Sequence, residues 1–172
     1  MYREITIGKE SVPMKSNAAT PIRYRQVFHK DILKELSEAE NNTALAMDSI
    51  SQLAYIMAMT GSGADMSQLN EEKYIAWLEQ FETFDFIEAS EAIVDVYLGN
   101  TTTTSEAKKK SLRRSERVLT TALYTLRCVQ VGLKIADLDY LEYGFVMDII
   151  TESSNDDYKY REVATQADFD RF

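Results

Sequence analysis

The apolar positions along this chain change period once, early. Ile5 and Ile7 point one way, Gly8-Lys9-Glu10 turns the chain, and Val12 and Met14 follow. Period 2 on both sides of a glycine-containing turn predicts a β-hairpin over residues 2–15. Pro13 cannot donate to a ladder, so its strand is expected at an edge. From Thr20 onward the spacing is helical. Thr20-Pro21 reads as a cap with proline at the first helical position, opening a helix over Ile22 to Phe28. A second runs from Asp31 to about Ala39 with Ile32, Leu33 and Leu36 inward, and Asn41-Asn42-Thr43 breaks it. Thr43 to Thr60 is the clearest helix of the N-terminal part, because Ala46, Ile50, Leu53, Ala54 and Met57 share one apolar face. Gly61 then stands where a C-terminal glycine belongs. Asn70 caps a helix through Phe81, with Tyr74, Leu78 and Phe81 buried and Trp77 at least partly so. Thr83 or Asp85 caps another through Leu98, ending at Gly99.

Residues 100–111 break the pattern with four threonines, two serines and three lysines, a polar linker and the best candidate boundary in the chain. Beyond it, Arg114 to Lys134 predicts a long helix, with Val118, Ala122, Leu126 and Val129 on one face and Leu119, Leu123 and Leu133 nearby. Asp137 starts a short helix to Leu141. Tyr143 to Glu152 makes another, pairing Phe145 with Ile149 and Val146 with Ile150. A last turn is expected near Thr165. The fold class is therefore mainly α: an N-terminal β-hairpin packed on a bundle of short helices (residues 1–99), a polar and basic linker (100–113) and a small C-terminal helical unit (114–172).

Composition narrows the function. The chain has 172 residues, a formal net charge of −9 and 45% hydrophobic residues, enough for a core. An acidic balance argues against nucleic acid as the main partner, since phosphate contacts need a basic face. The one basic run, Lys108-Lys109-Lys110 with Arg113, Arg114 and Arg117, reads as a solvated linker. Cys128 is the only cysteine, so no internal disulfide forms, which suits a reducing compartment. Met1 to Lys9 is charged and alternating, unlike a signal peptide, and no apolar run approaches the length of a membrane helix. A soluble, cytoplasmic protein is expected.

Catalytic chemistry is hard to find. His29, the only histidine, lies at a helix junction without a Gly-x-Ser-x-Gly elbow elsewhere. One histidine and one cysteine cannot build a structural zinc site. Gly61-Ser62-Gly63 lacks the Lys-Ser/Thr that follows in a phosphate loop. Cys128 sits in an apolar helical pattern and reads as a small buried hydrophobe. Glu88, Glu91 and Asp95 on one flank, and Asp137 with Asp139, lack the spacing of a calcium loop and read as a solvated acidic face. No cofactor is expected, and no enzymatic activity. Met47, Met57, Met59 and Met66 gather around one helix and its loop; pliable methionine serves both cores and surfaces that accept apolar partners.

Several segments resemble the tail assembly chaperones of long-tailed phages and prophages of Gram-positive bacteria. They are the hairpin with residues 17–28 (NAATPIRYRQVF), residues 126–139 (LRCVQVGLKIADLD), residues 155–158 (NDDY) and residues 164–170 (ATQADFD). The resemblance covers both ends and reaches the middle only through helical character. It implies a cytoplasmic assembly factor of the infected or lysogenic bacterial host. Such a factor keeps the apolar, helical tape measure protein soluble, helps recruit tail tube (major tail) subunits, and is absent from the finished particle. A permanent structural or connector protein of the tail is the alternative, and a regulatory subunit or metal-dependent enzyme using the carboxylates a third reading. No nucleic acid or membrane contact is expected; weak self-association along a long partner is. Apolar content places the expected contact surface at Ile50, Met57 and Met59, and on the C-terminal unit at Tyr140, Tyr143 and Phe145.

The same family often makes a short form and a longer, frameshifted form. If programmed frameshifting produces the residues after Lys108-Lys109-Lys110, the coding DNA carries a slippery adenine-rich heptamer at these codons. Sequencing the gene and finding a continuous frame without one rejects that origin.

Overall fold

The computed structural model describes residues 2–38, 43–82, 84–106 and 117–156. The expected break at Asn41-Asn42, the alternative cap Thr83, the basic run Lys108 to Arg114 and the last turn near Thr165 lie outside them. The chain is mostly helical, with an N-terminal antiparallel hairpin. Strand β1 (Tyr2–Ile7) pairs with β2 (Glu10–Lys15), with Ile5 opposite Val12 and Pro13 opposite Glu4. Alternation sends Ile5, Ile7, Val12 and Met14 to one buried face. Gly8 makes the turn at φ 59°, and a Cβ there would strike the Asp85 carboxylate, so glycine lets the turn close onto the start of a later helix.

Helix α1 (Thr20–Phe28) is followed by α2 (Ile32–Glu38) and the central helix α3 (Thr43–Gly61). Thr20 does not cap α1. Ala19 precedes the helix without a side-chain cap, and the Thr20 hydroxyl instead accepts from the Asn17 amide at 3.0 Å. Along α3 the single apolar face expected from its spacing becomes a fully enclosed stretch: Leu53 through Ala58 are all buried, because β2, α1, α2 and the later helix Asp85–Leu98 surround it. Gly61 is the last residue of α3 and not the glycine that ends it: Gly63 takes the left-handed backbone (φ 71°) and Ala64 N closes on Met59 O at 3.0 Å, while Gly61 is a packing residue, since a Cβ there would meet the Pro13 carbonyl of the hairpin.

Asn70 caps α4 (Glu71–Leu78) through its Oδ1, which accepts from Lys73 N at 2.9 Å. The helix stops at Leu78, short of Phe81. Helix α5 (Asp85–Leu98) begins where the Asp85 carboxylate accepts from Glu82 N at 2.9 Å, and it ends at Gly99. The first core joins the hairpin face to α1–α5. An aromatic series threads it, with Phe28, Tyr74, Tyr55, Trp77 and Phe86 in tilted or edge contact.

The C-terminal unit departs further from expectation. In place of a long helix to Lys134, residues 117–120 are non-helical and α6 spans only Thr121–Gln130. The Thr120 hydroxyl starts it by accepting from Leu123 N, and Gly132 at φ 86° leads the chain away. Its buried side is Thr121, Tyr124 and Cys128; Val118, Ala122, Leu126 and Val129, expected inside, are exposed. A 3₁₀ turn (Ile135–Asp139) buries Leu138, and α7 (Tyr143–Asn155) buries Tyr143 and Val146.

These residues form a second, smaller core that contains Ala18 and Ala19 from the N-terminal part, with Ile22 and Leu33 packed on it. Both sides of the expected boundary thus share one apolar cluster. Residues 100–106 do not run free between them: Asn100 O accepts from Gly144 N at 2.8 Å, and the Thr102 carbonyl lies where any Gly144 side chain would go.

Because the two cores share elements, chemical unfolding is expected to follow one transition by both tryptophan fluorescence and far-UV circular dichroism. Leu138→Ala should lower stability by about 2–5 kcal/mol. Two separated transitions, or a silent Leu138 variant, would refute the shared packing.

Candidate functional site

Polar side chains join the two cores by satisfying backbone groups distant in sequence. Asp31 accepts from Thr121 N at 2.9 Å and from the Thr121 hydroxyl at 2.9 Å, so a residue at the start of α2 caps the N-terminus of α6. Asn17 Nδ2 donates to Asp139 O at 3.0 Å while Ala18 N donates to Leu141 O at 2.8 Å. Arg23 forms an ion pair with Asp139. Asn100 Oδ1 accepts from Tyr143 N at 3.2 Å, and Asn155 Nδ2 donates to Glu106 O at 2.8 Å. Asp148 accepts from Ser105 N at 2.9 Å, Thr104 N at 3.0 Å and the Thr104 hydroxyl at 2.9 Å. The backbone amides of Ser105 and Thr104 hold the Asp148 carboxyl below its ordinary value.

This joint forms one wall of an open apolar trough. A hollow of about 570 Å³ lies between α1, the 3₁₀ turn Met66–Gln68 and the 3₁₀ turn Ile135–Asp139. Ile22, Val27, Met66, Leu69, Ile135 and Ala136 supply its apolar surface, and Arg23 with Asp139 its rim. A second hollow of about 510 Å³, which shares Leu69 with the first, lies along the end of α3 and one side of α4. Tyr55, Met59, Ala64, Ala76 and Trp77 line it, with Asp65 and Lys73 at the edge. The turn that carries Met66 is held by Asp65, whose Oδ1 accepts from the Ser67 hydroxyl at 2.7 Å and Ser67 N at 3.0 Å. The Ser67 hydroxyl and amide lower the Asp65 pKa.

Of the six residues expected to contact a partner, only Met59 lines the trough. Ile50 is half-buried against the first core. Met57 is fully buried in that core and Tyr143 is 7% exposed in the second, so packing withdraws both from any partner. Burial pushes the Tyr143 hydroxyl up to about 12. Tyr140, 89% exposed, and Phe145 do reach the surface, outside the two hollows. Ile22, Leu69, Ile135 and Ala136 were missing from the expected surface. The available signal was an apolar pair, Met66 and Leu69, stranded between a glycine-rich loop and the cap Asn70.

The residues weighed for catalysis occupy ordinary positions. His29 is exposed in left-handed backbone at the end of α1 (φ 56°). Cys128 is buried, and burial raises its thiol pKa. Glu88, Glu91 and Asp95 are exposed, and Asp137 caps its turn by accepting from Lys134 N at 3.0 Å. Among the described residues no three histidine, cysteine or acidic side chains are placed to hold a metal ion, and no helix is long and apolar enough to cross a membrane. No protein-family model, curated protein or solved structure matches this chain.

A folded pKa held below its unfolded value contributes stability above the unfolded pKa and loses it as pH falls through the folded one. The hold of Asp148 on Thr104 and Ser105 should therefore begin to weaken below about pH 4. Amide exchange at Thr104 and Ser105 should rise there, and at neutral pH in Asp148→Ala. Unchanged protection in that variant would show that Asp148 does not hold the segment.

Proposed function

We propose that this chain is a tail assembly chaperone of a long-tailed phage or prophage of Gram-positive bacteria. It acts in the host cytoplasm by sheltering an apolar helical stretch of the tape measure protein and helps bring in tail tube subunits. The observation that carries the reading is the open trough through Met59, Met66 and Leu69. A ridge of one amphipathic helix is the natural complement of such a surface, and methionine adapts to side chains of differing shape along a long guest. Two of the stretches that resemble the family, residues 17–28 and 126–139, meet at the joint beside this trough through Asn17, Arg23 and Asp139. The work required is the shielding of another chain's apolar surface, which needs no bond-making machinery.

Co-expression with fragments of the tape measure protein tests this. The wild-type chain should raise the soluble fraction of a fragment and co-purify with it. Met66→Glu combined with Leu69→Asp, two half-buried trough positions, should abolish both effects while leaving the circular dichroism spectrum unchanged. A fragment equally insoluble with and without the chain removes the mechanism. Recovery of the chain in purified virions would assign it to the permanent tail structure instead.

A further inference from the structure

Two exposed helix faces outside the trough are complementary in both hydrophobicity and charge. On α6, Ala122, Leu126 and Val129 form an outward stripe at i, i+4, i+7 spacing, with Leu126 48% and Val129 54% exposed. Arg127 is the one charged residue of α6, Arg117 and Lys134 flank the helix, and residues 117–136 contain not one acidic residue, in a protein whose net charge is −9. On α5 and the residue before it, Phe84, Ile87 and Leu98 are exposed along one side. Between and beside them stand the exposed carboxylates of Glu88, Glu91 and Asp95, and the helix contains no basic residue. The two faces belong to different parts of the fold: α5 packs on β1 and α3, whereas α6 packs on α1, α7 and the 3₁₀ turn Ile135–Asp139.

We infer that the α6 stripe of one copy of this chain docks on the α5 face of a second copy. The apolar residues supply the driving force. The net charges, basic on one side and acidic on the other, select this pairing over α6 on α6 or α5 on α5, each of which sets like charges together. Because the two surfaces differ, the contact is heterologous, and every added copy presents another free pair of faces. Such a contact builds an open array, or a ring where its rotation closes. A second copy is the favoured occupant because this chain itself carries the acidic amphipathic helix that the α6 face requires. The contact does not depend on what fills the trough.

Sedimentation velocity of the full chain over a concentration series tests the inference. The wild type should form species larger than dimers, weakened by added salt because charge contributes. Leu126→Asp removes one face and Ile87→Asp the other, at exposed positions where the fold tolerates the change. Each variant alone should be monomeric, with self-affinity reduced at least about tenfold. Mixed together, they should form a discrete one-to-one dimer through the single intact pair of faces. A wild type that stays monomeric at high concentration and low salt overturns the proposal. So does an Ile87→Asp variant that still dimerises alone, or a mixture that forms no dimer.

Discussion

The fold depends on side chains that satisfy backbone groups far away in sequence. Buried amides and carbonyls need partners, and segments that are neither helix nor strand cannot supply their own. Here Asn17 and Asp31 supply them across the joint between the two cores, and Asn100, Asp148 and Asn155 supply them between residues 100–106 and α7. The second core is too small to stand by itself. It is completed by Ala18 and Ala19 from the N-terminal part, and the Tyr124 hydroxyl donates to Ala18 O at 3.1 Å. Apolar packing brings the halves together, and the polar pairing fixes their register.

That joint also shapes the surface. Ile22 on α1 and Ile135 after α6 line the same hollow, beside the point where Asn17 and Arg23 both reach Asp139. The first hollow is therefore shared between the parts, whereas the second, with Met59, is lined by residues 55–80 alone. The ten-residue helix α6 turns Tyr124 and Cys128 inward and leaves Ala122, Leu126 and Val129 uncovered. The exposed apolar stripe of α6, in a protein whose net charge is −9, is the common thread of the proposed chaperone role and the proposed self-assembly.

Much of the architecture was legible along the chain. The hairpin, the helices following Pro21 and Asn70, the end near Gly99 and the buried Cys128 follow from period, capping and composition, which are local properties. The choice of face on α6 was not. Val118, Ala122, Leu126 and Val129 outnumber Tyr124 and Cys128 in apolar content, so periodicity selects the wrong side. The correct one was settled by Ala18 and Leu138, the neighbours that Tyr124 and Cys128 meet in the second core. The candidate surface was less legible still. Met57 and Met59 are two residues apart on one helix, yet one is enclosed and the other lines the trough.

The sequence by itself determined the hairpin and the positions of most of the helices, because each depends on near neighbours and on residue chemistry alone. Only the tertiary structure decided that residues 100–106 bind α7, that Asp31 caps α6, and which apolar residues remain outside. The physical reason is distance along the chain. The partners of Asp31 and Asn17 lie 90 and 122 residues away, and no local pattern encodes a hydrogen bond of that span.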